Sequence, residues 1–241
     1  NIHEVFVLSN LDHPNIVHYI ASFCSRGEMW LVTEFMEGGT LSDAASMIKL
    51  QENQIGYIAR EIMKAIAFLH EQELAHRDLK TSNIMLTVSG AIKLIDFGLC
   101  ASMKLGKRRR MVGSPFWIPP EMIRREKHGL EADIWSFGIC VMEMALGHPP
   151  NRDSSLRALF NSGTGRIPEI GKKGKWTRDF RDFMSGALVA DSAKRAQAKE
   201  MLGHGFLEKA ASERQMRTLF QAIFVERSLE RSLGMRGYPG M

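Results

Sequence analysis

The chain has 241 residues, 44% hydrophobic and 24% charged, a balance that excludes a disordered or low-complexity protein and supplies enough apolar side chain for a sizeable core. Its net charge of +5 sits in short runs at 107–110, 124–127 and 172–175 without interleaved aromatics, which reads as a solvated face or a surface for acidic partners rather than a nucleic-acid groove. Cys24, Cys100 and Cys140 show neither disulfide nor zinc spacing and point to a reducing compartment, while the longest apolar run, 134–146, is too short to span a bilayer.

Residues 1–9 read as the end of a helix with Ile2, Val5, Phe6 and Leu8 along its apolar side. The chain does not open on Met and is expected to begin partway through a longer protein. Pro14 and Asn15 make 11–15 a turn. Strands are expected at 16–23 and 29–35, around a turn at 25–28. Glu37, Gly38 and Gly39 break the second strand and form a hinge, followed by a short helix over 41–50. Ile55, Ile58, Ala59, Ile62, Ala65, Ile66 and Leu69 recur at helical spacing and define an amphipathic helix over 55–72. Short strands at 84–86 and 91–94 flank a Ser89-Gly90 hairpin turn. Everything beyond 131 reads as helix and loop, starting with a helix over 131–146 that Gly147 and the following prolines end. From 208 a helical tail carries Met216, Leu219, Phe220, Ile223 and Phe224 on one face, to pack on the body or to bind a partner; 234–241 reads as disordered.

The stretch that carries chemistry is His76-Arg77-Asp78-Leu79-Lys80-Thr81-Ser82-Asn83, followed by Asp96-Phe97-Gly98. Asp78 can take or orient a proton, Lys80 can neutralise developing anionic charge, and the Asn83 amide oxygen can ligate a hard cation. Asp96 ends an apolar run and is followed by a permissive glycine, so it can supply a second hard oxygen ligand. Together these groups suit a nucleoside triphosphate carried on magnesium, where catalysis is mostly positioning and charge stabilisation. Either triplet alone is weak evidence; both in this order, with Pro120-Glu121 downstream, are strong.

These motifs resemble the protein-kinase signature set, H-R-D-x-K-x-x-N, D-F-G and A-P-E. Within that family the chain is most similar to the PAK (GTPase-activated) group of sterile-twenty-like Ser/Thr kinases, through Asn15-Ile16-Val17, Gly38-Gly39-Thr40-Leu41, the run 111–117 and Leu156-Arg157-Ala158-Leu159. The resemblance implies an α+β, two-lobed kinase fold: a partial small lobe at 1–36, a helical large lobe at 37–207 and a helical tail at 208–241. It implies transfer of the ATP γ-phosphoryl group to Ser or Thr hydroxyls of protein substrates, with Asp78, Lys80, Asn83 and Asp96 catalytic. ATP and Mg2+ are the implied cofactors. Asn83 and Asp96 hold the metal, backbone groups of Glu34 and Met36 meet adenine, Met85 lies beneath the base, and Lys80 and Asp96 face the phosphates. It further implies a packed, structural His76, a buried ion pair between Glu121 and Arg195, and Asp133 bonded to backbone near His76 and Arg77. Small-GTPase regulation would act through a region not present in this chain, and the expected compartment is cytoplasmic.

Three departures from the family pattern set up a rival reading. The glycine-rich phosphate loop and the strand lysine are not found, and Glu4, which fits the helix glutamate that pairs with that lysine, has no such partner here. Arg110 stands where the PAK-like activation segment carries a phosphorylatable threonine, bringing like charge toward Arg77. Pro119 replaces the alanine of A-P-E. A catalytically impaired scaffold is therefore the alternative to a working kinase. Ser114, at a family threonine position, keeps a hydroxyl able to bond to Asp78 or Lys80 and is equally a plain turn serine.

Overall fold

The apolar run at 131–146 becomes the buried axis of the molecule, and the remaining elements are arranged about it. The computed structural model describes residues 2–171 and 175–232. In chain order these form α1 (Ile2–Leu8), β1 (Tyr19–Ser25), β2 (Glu28–Thr33), α2 (Leu41–Met47), α3 (Glu52–Glu71), β3 (Leu74–Ala75), β4 (Ile84–Leu86), β5 (Ile92–Leu94) and β6 (Ala101–Ser102). Helices α4 (Pro120–Ile123), α5 (Glu131–Leu146), α6 (Ser155–Gly163), α7 (Arg178–Ala187), α8 (Ala198–Leu202), α9 (Gly205–Glu208) and α10 (Glu213–Ser232) complete it. This is the α+β, two-lobed arrangement: a small hairpin-bearing piece, a hinge and a larger helical body.

Helix α5 is buried on every side from Ala132 to Ala145, as a helix that is apolar all round must be. It packs against α2, α3 and α7. Each fully buried side chain of the size of Trp135 or Phe137 contributes roughly 1.5–3 kcal/mol of burial free energy. Gly147, in the left-handed region at φ 81°, ends the helix by donating its N–H to Glu143 O. Helix α3 buries the expected stripe. It begins three residues before the expected start because Gln51 and Gln54 form a reciprocal capping box.

Strands β1 and β2 pair antiparallel through a two-residue turn in which Arg26 and Gly27 both have positive φ (52° and 80°). That is the twist-matched hairpin geometry. The first strand starts at Tyr19 rather than residue 16, because the preceding residues are drawn to the helical body: Ile16 bridges Leu94, and Val17 N–H donates to Leu94 O at 3.0 Å. On α1 the burial falls on Val7 and Leu8, whereas Ile2 and Phe6, expected on the apolar side, face solvent. Ile20, Phe23, Trp30 and Phe35 are also exposed, and the Phe23 and Trp30 rings stack at 6.1 Å. Helix α2 ends at Met47, short of the expected residue 50. No helix among the described residues is long and apolar enough to cross a membrane.

At the base of the body, Arg195 and Glu121 form a fully buried, bidentate pair, with Nη1–Oε1 at 2.7 Å and Nη2–Oε2 at 3.0 Å. The remaining guanidinium donors reach Glu131 O and Val189 O, and the group lies over the Trp135 ring. The tail helix α10 buries Met216, Phe220 and Ile223 in the same core as α3, with Leu219 and Phe224 half-buried. Residues 234–241, expected to be disordered, lie outside the described residues.

Because every donor of Arg195 is satisfied in a dry site, removing one partner strands the other. Arg195→Met should lower the unfolding free energy by roughly 3–5 kcal/mol. Glu121→Leu combined with Arg195→Met should cost less than Arg195→Met alone. Urea titration of the three proteins measures both outcomes.

Candidate active site

Two short segments, 76–83 and 95–100, converge because small pieces of backbone pair them at each end. Strand β3 pairs antiparallel with β6, Leu74 with Ser102 and Ala75 with Ala101. At the other end Ile95 N–H donates to Asn83 O at 2.9 Å. This two-residue ladder has no periodic signature and was not expected from the sequence.

His76 is fully buried between the segments. Its Nδ1 accepts from the Asp78 N–H at 3.3 Å, so Nε2 carries the hydrogen and donates to Ile95 O at 3.2 Å. The imidazole meets Phe97 edge to face at 5.1 Å. Burial holds its pKa below the ordinary value, which leaves the ring neutral and packed, as the resemblance implied.

Asp133, in the first turn of α5, supplies the other constraint. Its Oδ2 accepts from His76 N–H and its Oδ1 from Arg77 N–H, both at 2.8 Å, and His70 Nε2 lies 3.0 Å from Oδ2. Burial alone would push this carboxyl up. The His70 bond and charge and the Arg77 N–H outweigh it and hold the group below the usual range. The bonds fix Arg77 in the left-handed region at φ 67° and turn the chain so that Asp78 faces inward. Gly113 is needed beside it, since a Cβ there would lie 2.6 Å from Arg77 O. Arg77 makes no ion pair among the described residues; its Nε donates to Leu99 O at 2.8 Å. Burial, and after it the charges of Arg108 and Arg110, hold this guanidinium below its ordinary pKa, against the pull of Asp133.

The residues singled out in the sequence stand together. Lys80 Nζ lies 2.9 Å from Asp78 Oδ2, and Ser114 Oγ donates to Asp78 Oδ1 at 2.8 Å while accepting from Lys80 Nζ at 3.0 Å. The Ser114 hydroxyl therefore serves both partners at once. Asn83 Nδ2 donates to Asp78 O at 3.0 Å and reaches Asp78 Oδ2 and Asp96 Oδ2 at 3.3 Å. Asp96 is held at φ 64°, and its Oδ1 accepts from Gly98 N–H at 3.4 Å. With the Asn83 amide nitrogen turned to the carboxylates, its oxygen is left for another ligand. No cluster of three His, Cys, Asp or Glu side chains suited to a metal occurs among the described residues. One carboxylate and one amide oxygen nevertheless fit magnesium, which takes few protein ligands and keeps waters or phosphate oxygens.

Across from this cluster, the hinge is tied at both ends. Glu34 Oε1 accepts from His18 N–H and from Lys93 Nζ, each at 2.6 Å. Lys93 stands opposite Met85 in the β4–β5 ladder, a tether that sequence reading missed. The Met36 amide makes no hydrogen bond among the described residues. Gly38 N–H donates to Leu86 O at 3.1 Å, Leu86 N–H donates to Gly39 O at 2.9 Å, and Thr40 bridges Met85. A Cβ on Gly38 would lie 2.6 Å from Leu86 O, so this contact requires glycine. Glu4 makes no ion pair among the described residues and points toward Gly98; its neighbour His3 reaches Cys100 O at 2.6 Å, docking α1 on the 95–100 segment. A separate cavity of about 590 Å³ between α3, residues 103–107 and α8 shares none of the residues expected to carry chemistry.

Residues 1–207 match the protein kinase domain family. Among curated proteins the chain is similar to the probable serine/threonine-protein kinase mkcB of Dictyostelium discoideum, 42% identical over 233 residues, which cover 96% of this chain and 33% of that protein. It is similar to the serine/threonine-protein kinase PAK 1 of Mus musculus, 41% identical over 212 residues, covering 87% and 39%. It is also similar to the serine/threonine-protein kinase CST20 of Candida albicans, 40% identical over 209 residues, covering 86% and 17%. The chain thus spans well under half the length of these relatives.

The neutral His76 gives a pH dependence of defined sign. In the unfolded chain it protonates near pH 6.5, whereas in the fold it stays neutral to lower pH, so stability falls as pH drops below about 6.5. Burial holds His13 and His128 low too, with the same sign. Glu143, raised by burial, opposes them by binding a proton in the fold above 4.5. His76 should contribute a slope of at most about 1.4 kcal/mol per pH unit. Urea titrations between pH 7 and 5.5 should show His76→Asn with the flatter dependence.

Proposed function

The chain belongs to the protein kinase family, on its Ser/Thr side with the PAK and sterile-twenty-like relatives, and on that footing we propose that it transfers the γ-phosphoryl group of ATP to serine or threonine hydroxyls of protein substrates. The observation that carries this is the single hydrogen-bonded cluster of Asp78, Lys80, Asn83, Asp96 and Ser114.

In this reading the acceptor hydroxyl displaces Ser114 from Asp78 Oδ1 and is oriented by that carboxylate. As its oxygen bonds to the γ-phosphorus and the bond to the departing ADP oxygen breaks, its proton passes to Asp78. Lys80, already 2.9 Å from Asp78, places positive charge beside the group in transfer. Asn83 and Asp96 would hold magnesium, which supplies charge neutralisation across the phosphates when bound. Backbone groups of Glu34 and Met36 would meet adenine, with Met85 beneath it. The Glu34 tether to Lys93 and His18 keeps that edge in place.

A scaffold that has lost turnover is less well supported, because these five polar side chains form one bonded cluster rather than being dispersed. Arg110 excludes activation by phosphorylation at its own position, and its charge beside Arg77 favours an acidic group from elsewhere in that role. Regulation by a small GTPase through a region outside this chain, and residence in the cytoplasm, follow from the PAK-like resemblance.

The test is MgATP-dependent phosphate transfer to a generic basic protein. Asp78→Asn should lose about 10²–10⁴-fold in kcat. Asp96→Asn should lose about 10²-fold or more, with thermal stability of both variants near that of the parent. A folded chain that transfers nothing, or variants that keep the parental rate, would overturn the reading.

A further inference from the structure

The family match ends at residue 207, and α10 lies wholly beyond it. Its buried side chains explain why it packs on the body. They do not explain two arginines that it directs to other parts of the chain, one to a backbone carbonyl and one to a carboxylate. Near its start, Arg217 Nε donates to Ser89 O at 3.0 Å, and the Arg217 backbone lies 3.6 Å from where a Cβ on Gly90 would sit. Near its end, Arg227 Nη2 pairs with Asp43 Oδ2 at 2.5 Å, its side chain only 21% exposed. The Arg227 Nη1 atom lies 1.3 Å from the position that a Cβ on Gly39 would take, so the guanidinium occupies the space that the absence of a side chain leaves. Gly39 is held at φ 77°.

Both contacts fall on one ribbon. Ser89 and Gly90 form the turn between β4 and β5, and the Gly38–Thr40 turn hydrogen-bonds to β4 on its other side, with Thr40 bridging Met85. Ten residues of helix span about 15 Å, enough to bridge the two ends of this short ribbon. The turn at 38–40 is therefore closed between β4, which carries Met85 toward the expected adenine site, and a planar cation on its outer side.

We propose that α10 is a strap that sets the nucleotide-facing turn, with Arg227 as a positioning residue for ATP binding acting through Gly39 and Asp43. This rests on the kinase reading above. Arg227 touches no phosphate and no acceptor; it fixes where the backbone after the hinge lies. An ordinary surface pair between arginine and aspartate would contribute little, about 0–1 kcal/mol, and would leave nucleotide affinity alone. A strap changes affinity while leaving the group-transfer step near its parental rate.

The experiment compares the parent chain with Arg227→Ala, Arg227→Lys and, as a control on the exposed side of α10, Arg214→Ala. Binding of a fluorescent ATP analogue with Mg2+ is measured beside KM for ATP, kcat and the urea midpoint. Arg227→Ala should raise Kd and KM together about three- to tenfold with kcat and the midpoint little changed. Arg227→Lys, which keeps the charge for Asp43 and loses the planar group over Gly39, should recover part of the loss. Arg214→Ala should match the parent. Unchanged Kd and KM in Arg227→Ala, or losses confined to the urea midpoint, overturn the strap while leaving the kinase reading intact. A folded parent that neither binds the analogue nor transfers phosphate overturns the kinase reading, and the strap with it.

Discussion

The geometry of the site depends on one buried carboxylate. Asp133 sits in the first turn of the most deeply buried helix, where the helix N-terminus favours negative charge. It delivers one oxygen to each of two consecutive backbone N–H groups, His76 and Arg77. A helix buried on every side cannot shift without disturbing the core, so the loop inherits its rigidity. The left-handed conformation of Arg77 costs free energy that an isolated loop would relax; here two charge-assisted bonds at 2.8 Å hold it. Asp78 reaches its place as the next residue in a chain whose path has already been determined.

From that anchor, neutrality propagates as an organising condition. His76 stays uncharged because it is buried, and only the neutral tautomer can accept from Asp78 N–H while donating to Ile95 O. Its ring therefore joins the two segments that carry Asp78 and Asp96 without adding a charge between them. The charges that do face the cleft, Lys80, Asp78 and Asp96, are bridged by neutral donors: the Ser114 hydroxyl and the Asn83 amide. A carboxylate pair bridged by an amide nitrogen keeps like charges apart and leaves an amide oxygen for a cation.

Legibility in the sequence followed the range of the interactions. Helices α3 and α5 were readable because burial imposes a period, or the lack of one, over four or more turns, and Gly147 marks a stop. The cluster was readable because its members lie on two short segments of unusual composition. What escaped detection involved pairings without local pattern. The β3–β6 ladder is two residues long, residues 16–17 pair with β5 instead of extending β1, and Lys93 reaches back to Glu34 across the hinge. Ile2 and Phe6 show the converse error: an apolar residue at helical spacing states a preference for burial, and the packed partner decides whether it is met.

The paired glycines of the turn after the hinge have a consequence for how such a chain can diverge. Gly38 is closed by the Leu86 carbonyl, so a side chain there would have to move backbone, and Gly39 is constrained by its left-handed backbone, with the Arg227 guanidinium in the space a side chain would take. Variation around this turn is thereby channelled to Met36 and Met85, which are half-buried, since Thr40 is itself committed to capping α2. Under the adenine site proposed above, selectivity among adenine-like molecules would be retuned there by single substitutions, while the glycine turn keeps its backbone path.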